Sequence, residues 1–148
     1  GDGGTPAELT SYLDDYDKEC KVGGSIQSRG PANINGTLYA HTISQTPNGY
    51  AGTGFYLARL GQRFLATIGP TDNALPGHTM QFELKTETGA SLFRSRVLAI
   101  GQTQSVNVKV SGVLKLFLVT TSVHPRGGQG VAGWGDARVI STTPLRCP

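Results

Sequence analysis

The sequence predicts an all-β fold: a two-sheet antiparallel β-sandwich preceded by a short N-terminal helix. Two observations carry this. From Phe55 to Ile140, segment after segment is apolar on alternate residues, the period at which a strand buries one face and wets the other. Turn residues separate these segments at short intervals, and no apolar stripe of helical length appears among them. Glycine is also abundant, at 21 of 148 residues, as tight turns with positive φ require. Many strands in one small chain stack as two sheets or close as a barrel.

The elements follow in order. Residues 1–4 read as a flexible remnant, and residues 5–148 as one domain. Thr5-Pro6-Ala7-Glu8 is a helix start, with Thr5 as cap, Pro6 at the first helical position and Glu8 reaching back. Leu9, Tyr12, Leu13 and Tyr16 then share a helical face, so a helix is expected over Pro6 to Asp14. Lys21 to Gly36 reads as loop, with a short strand around Ser25 to Gln27. Leu38 to Ile43 is a strand, and Ser44 to Gly54 a polar loop with the turn signal Pro47-Asn48-Gly49. Three hairpins are expected. Phe55–Arg59 and Gln62–Ile68 turn at Leu60-Gly61, and His78–Glu87 and Ala90–Ile100 turn at Thr88-Gly89. Ser105–Val110 and Val113–Thr120 turn at Ser111-Gly112. A long Gly-rich loop, Val123 to Gly133, precedes a last strand, Asp136 to Ser141.

The composition bounds the function. Hydrophobic residues make up 37% and charged residues 16%, which is a globular balance. The net charge of +3 comes from scattered Lys and Arg, not from the concentrated basic face of a nucleic-acid binder. No segment approaches the roughly 20 apolar residues of a membrane-spanning helix. The chain opens at Gly1 without a signal-peptide pattern, which suggests a domain excised from a longer secreted or anchored protein. Cys20 and Cys147 are two unrelated thiols or one disulfide. The disulfide is the expectation, worth at most about 5 kcal/mol for so long a loop, and with it an extracellular compartment.

A set of landmarks then becomes specific. Asn33-Ile34-Asn35-Gly36-Thr37-Leu38-Tyr39-Ala40-His41 resembles the pattern I-N-G-x-x-Y-x-H. Phe64-Leu65-Ala66-Thr67-Ile68-Gly69-Pro70-Thr71-Asp72 resembles F-x-A-x-V-G-x-x-D, and Gln81-Phe82-Glu83-Leu84 resembles V-x-F-x-V. Val108-Lys109-Val110-Ser111-Gly112-Val113-Leu114-Lys115-Leu116 resembles V-x-V-S-G-V-x-x-L, and Gly133-Trp134-Gly135-Asp136-Ala137 resembles a closing W-x-D-A. In this order, from about Leu9 to Ile140, they are similar to the NPCBM family, which includes carbohydrate-binding module family 51. The resemblance implies a jelly-roll sandwich of the galactose-binding-domain-like kind. It also implies an extracellular bacterial module appended to glycoside hydrolases, or to membrane-anchored proteins such as sensor kinases. The implied function is non-catalytic recognition of a sugar or cell-wall glycan. The alternative is a sensor or adhesion ectodomain for a cell-wall fragment, peptide or protein.

The candidate ligand-binding residues each carry two readings. Trp134, the single Trp, is a stacking platform for a sugar face or a plug in the core. His41 donates to a hydroxyl or is a satisfied, half-buried histidine. Asp72 and Asn73 bind paired hydroxyls or hold an Asx-turn. Asp136 contacts a ligand or braces the fold. His41, His78 and His124 have no ligand partners at zinc spacing, so no zinc site is expected. The acidic run Asp14, Asp15, Asp17 and Glu19 offers oxygens of the kind calcium takes, but without a regular loop spacing; it reads first as a solvated charge run. No nucleophile elbow, phosphate loop or inward carboxylate pair is present, so catalysis is not expected, and neither is a cofactor.

Overall fold

A computed structural model of the chain describes residues 7–16, 21–24, 28–47, 49–124 and 130–145. Among these residues twelve strands form two antiparallel sheets. One contains β3 (Ser28–Ile34), β4 (Thr37–Gln45), β6 (Gly61–Pro70), β10 (Gln104–Lys109) and β12 (Ala132–Ser141), with β1 (Leu9–Tyr12) beside β12. The other contains β2 (Lys21–Gly24), β5 (Tyr50–Tyr56), β7 (Thr79–Thr86), β8 (Ser91–Arg94) and β11 (Lys115–His124), with β9 (Leu98–Ala99) beside β7. Among the described residues no helix is long and apolar enough to cross a membrane.

The alternation visible in the sequence fills the space between the sheets. Phe64, Ala66 and Ile68 of β6, Val106 of β10 and Val139 of β12 face Met80, Phe82 and Leu84 of β7 and Leu116 and Leu118 of β11. Trp134 lies among them, fully buried, edge-on to Phe82 and Phe64 at centroid distances of 5.2 and 6.1 Å.

The expected N-terminal helix is not there. Pro6 lies outside the described residues, and Leu9–Tyr12 is instead a strand paired with Ser141–Arg138 of β12. Only one turn of 3-10 helix follows, Leu13–Asp15. The reason is a vacant edge. β4 pairs with β12 over Ala132–Gly135, leaving the backbone groups of Arg138–Ser141 open, and buried peptide groups need partners. That tertiary demand overrides the helical spacing of Leu9, Tyr12, Leu13 and Tyr16.

Two of the three expected hairpins are also corrected. β5 and β6 lie in different sheets, as do β10 and β11. Both links are arches across the sandwich. Ala58 and Arg59 adopt left-handed conformations, with φ of 54° and 61°, and turn the chain out of the sheet plane. The arches also bond to each other. Leu57 and Ala58 donate to the Leu114 carbonyl, and Arg59 donates to that of Val113. The β7–β8 hairpin forms where expected, with Glu83 opposite Arg94, but the expected strand Ala90–Ile100 breaks after Arg94, and Leu98–Ala99 pairs separately with β7. The segment read as loop before Gly36 contains β3, whose Gly30 and Pro31 disguise it. Proline fits there because β3 is an edge strand.

Candidate functional site

The site is created by a hairpin that folds onto a sheet. Asn35 and Gly36 both take positive φ, 50° and 76°, the two-residue turn that matches strand twist, and they join β3 to β4. β4 pairs edge to edge with β12 in the same sheet, and towards its tip the hairpin bends so that Ile34 and Tyr39 lie over Gly133 and Gly135 of β12. Side chains alternate across a strand, so Trp134 points inward while Gly133 and Gly135 face out. A Cβ on Gly133 would stand 2.8 Å from Ile34 Cδ1, and one on Gly135 would stand 2.8 Å from Tyr39 Cγ. The glycines strip the sheet so that Ile34, fully buried, and Tyr39 can lie on it.

The loop after β6 clasps this hairpin. Thr71 N–H donates to the Val131 carbonyl and Asp72 N–H to that of Asn33, each at 2.9 Å. Asp72 Oδ2 accepts from Gly36 N–H at 2.8 Å. The Thr71 hydroxyl donates to the Asn73 carboxamide oxygen. Between the loop and the hairpin runs an open cleft of about 440 Å³. Ser28, Pro31, Ala32 and Asn33 of β3 form one wall, and Thr71, Asp72, Asn73 and Val131 the other, with Ser44 of β4 between them. Among the described residues of this lining Asp72 is the one charged residue, and none is aromatic. Asp72 Oδ1 and the Asn73 amide N–H groups have no protein partner among the described residues, so an acceptor and a donor stand side by side at the rim.

The five sequence candidates therefore separate. Asp72 and Asn73 meet in the cleft. Asp72 also has the structural task that was its competing reading. His41 and Asp136 meet elsewhere. Asp136 sits at a bulge in β12 with φ of 50°, and its Oδ1 accepts from His41 N–H at 3.1 Å. The His41 ring stacks on Tyr12, with centroids 3.9 Å apart, and bonds to Asp14.

Trp134 is a correction as a stacking platform: it is wholly enclosed. Its Nε1 donates to Gln45 Oε1 at 3.0 Å, and the Thr120 hydroxyl donates to the same oxygen. Gln45 Nε2 donates to Thr53 Oγ1 and the Leu118 carbonyl, each at 3.0 Å. This buried network ties β4 and β12 of one sheet to β5 and β11 of the other. Cys20 and Cys147, the expected disulfide, lie outside the described residues, as do Asp17 and Glu19. Ser28, Asn33, Ser44 and Thr71 were missed. The signal for them was faint: small polar residues at strand ends, with Thr71 adjoining Asp72.

With the geometry in place, the comparisons with known proteins are consistent with it. The two-sheet antiparallel sandwich is the fold of the family 51 modules. The model of the NPCBM/NEW2 domain matches residues 10–140, and the chain belongs to that family. Among solved structures it is similar to the family 51 module of Clostridium perfringens GH95 in complex with methyl-galactose. The TM-score is 0.70 at 18% identity, covering 88% of this chain and 99% of that one. It is similar to the tandem family 51 modules of the Streptococcus pneumoniae family 98 glycoside hydrolase, with a TM-score of 0.72 at 13% identity, covering 95% of this chain and 49% of that one. A module of C. perfringens ZmpB, solved in complex with GlcNAc, has a TM-score of 0.71 at 14% identity; the match covers 90% of this chain and 32% of that one. The chain thus spans 32% of two of the ZmpB structures it matches and 15% of a third. No curated protein matches the chain.

Proposed function

We propose that this domain is a non-catalytic, extracellular carbohydrate-binding module of a longer protein, and that it holds a sugar unit in the cleft between the β3–β4 hairpin and the Thr71–Asn73 loop. The observation that carries the reading is that, among the described residues, Asp72 Oδ1 and the amide of the adjacent Asn73 have no hydrogen-bond partner. Neighbouring hydroxyls of a sugar ring each donate and accept, and such a pair meets both needs. The cleft volume of about 440 Å³ falls within the roughly 300–1,000 Å³ of small-ligand sites. Family membership and the sugar-bound structures of similar modules support the ligand class. Asp72 is the one carboxylate among the described lining residues, which supports a binding role, since glycoside hydrolysis ordinarily takes two.

The lining also sets the strength. Without a ring to stack on, affinity rests on hydrogen bonds worth about 1 kcal/mol net each. Net of the cost of association, a few such bonds give weak binding, with a Kd on the order of 1 mM or weaker. Titration of the domain with galactose, GlcNAc and cell-wall polysaccharides, followed by backbone amide NMR, tests this. Shifts confined to Thr71–Asn73 and β3, lost in Asn73→Ala, are expected. Flat titrations of a folded domain against all of them overturn the reading.

The ring-free lining favours one second reading, a sensor or adhesion domain whose ligand is a cell-wall fragment or peptide. Shifts in the same cleft with a muropeptide and none with free sugars would select it.

A further inference from the structure

Away from the cleft, residues remote in sequence converge at the start of the domain. β1 and the 3-10 turn bring Asp14 and Asp15 against His41 of β4, and one donor atom from each lies within 4.8 Å of the others. We propose that Asp14, Asp15 and His41 form a binding site for a divalent transition-metal ion of the zinc type.

The distances suit an ion. His41 Nδ1 is 3.0 and 3.2 Å from the two Asp14 oxygens and 3.9 Å from Asp15 Oδ2. With metal bonds of about 2.0–2.2 Å, adjacent ligand atoms stand roughly 3.0–3.5 Å apart, so a small movement of Asp15 closes the set.

The charge balance is a second, independent observation. The Asp14 side chain is only 7% exposed, and the His41 N–H is the one donor that any described residue offers it. Three carboxylate oxygens converge on a nitrogen that carries at most one proton. Among the described residues the imidazole is the one group that faces both carboxylates, and an ion held between them would be bonded by all three side chains.

The donors are held before any ion arrives. The imidazole is stacked on Tyr12 and its backbone N–H is bonded to Asp136. Leu13, between the strand and the acids, is fully buried and anchors the turn. The side chains of His41 and Asp15 are 35% and 68% exposed, so the site opens to water and leaves coordination positions for it. The donor set also selects the metal. Imidazole with carboxylates suits zinc and its neighbours, whereas calcium takes six to eight oxygens. Binding requires the Nδ1 lone pair, so the proton on that nitrogen moves to Nε2 or to solvent.

The test is a zinc titration of chelator-treated protein, read by calorimetry and by the NMR signals of the three imidazoles. One ion per chain is expected, shifting His41 and leaving His78 and His124 in place. Asp15→Asn, an exposed change that spares the fold, should weaken binding about tenfold or more. Calcium should compete poorly. The proposal fails if His41 does not respond to millimolar zinc in a folded domain. It fails equally if affinity is unchanged in Asp15→Asn, if zinc settles on His124 instead, or if calcium binds as tightly as zinc.

Discussion

The two faces of β12 solve opposite packing problems within four residues. On the inner face Trp134 fills the gap between the sheets, and its one polar atom enters a network with Gln45 and Thr120. On the outer face Gly133 and Gly135 remove side-chain volume, so that Ile34 and Tyr39 can lie against bare backbone. The inner face is stabilised by what is present, and the outer face by what is absent. The candidate cleft belongs to the outer arrangement, since it exists only because the β3–β4 hairpin is laid down there. The contrast explains why a motif written around a tryptophan is equally a motif of glycines.

Mutations on the two faces should therefore differ in size and in kind. The largest effect is expected from Trp134→Ala, which leaves a cavity and removes one of the two donors to the buried Gln45 Oε1. It should cost about 3–5 kcal/mol, read as a lower urea midpoint. If the cost were under about 1 kcal/mol, the polar network would not be joining the sheets. Gly135→Ala comes next. Its Cβ meets the Tyr39 ring and the Thr67 carbonyl, 3.1 Å away, and overpacking of this kind costs about 1–3 kcal/mol. Unlike the Trp134 change, it should also shift the amide signals of Pro31's neighbours and of Thr71–Asn73, because the hairpin must lift. An equal loss of stability with an unmoved cleft would break the link between the glycines and the site.

Asp72→Ala removes the bond to Gly36 N–H at the hairpin tip and should cost about 0.5–1.5 kcal/mol, with the proposed sugar binding lost as well. The smallest effect is at Glu87, near the arches. Hydrogen bonds from its own backbone N–H, then from those of Lys115 and Leu114, hold its carboxyl below the usual range. A depressed value means that the stabilisation is present above the unfolded value, about 4.3, and is lost as pH falls through the lower folded one. The gap in melting temperature between the native protein and Glu87→Gln should therefore be visible at neutral pH and close progressively as the pH falls below the unfolded value and through the lower folded one. A gap that persisted below both values would assign the effect to something other than the carboxylate.

Much of the sandwich could be read from side-chain period. The inward sets Phe64, Ala66, Ile68 and Met80, Phe82, Leu84 are the core. Less of the candidate site was legible. Asp72 and Asn73 were found because a Gly-Pro-Thr-Asp-Asn stretch must turn, whereas Ser28 and Ser44 carry no signal until β3 and β4 are paired across them. His41 was singled out as a residue, but its partner Asp14 lies 27 positions away on a segment that reads as helix.

Alternation depends only on the residues within one strand, so the sequence by itself determined which face of each strand is greasy and hence that two layers enclose a core. The ordered motifs added the family. Which strands are neighbours was decided by tertiary structure alone. Phe55–Arg59 can meet Gln62–Ile68 in a hairpin or pass it by in an arch with the same faces buried, and Leu9–Tyr12 becomes a strand only because half of β12 would otherwise lack a partner. Pairing is a contest among distant backbone groups for hydrogen bonds, and local spacing does not record its winner.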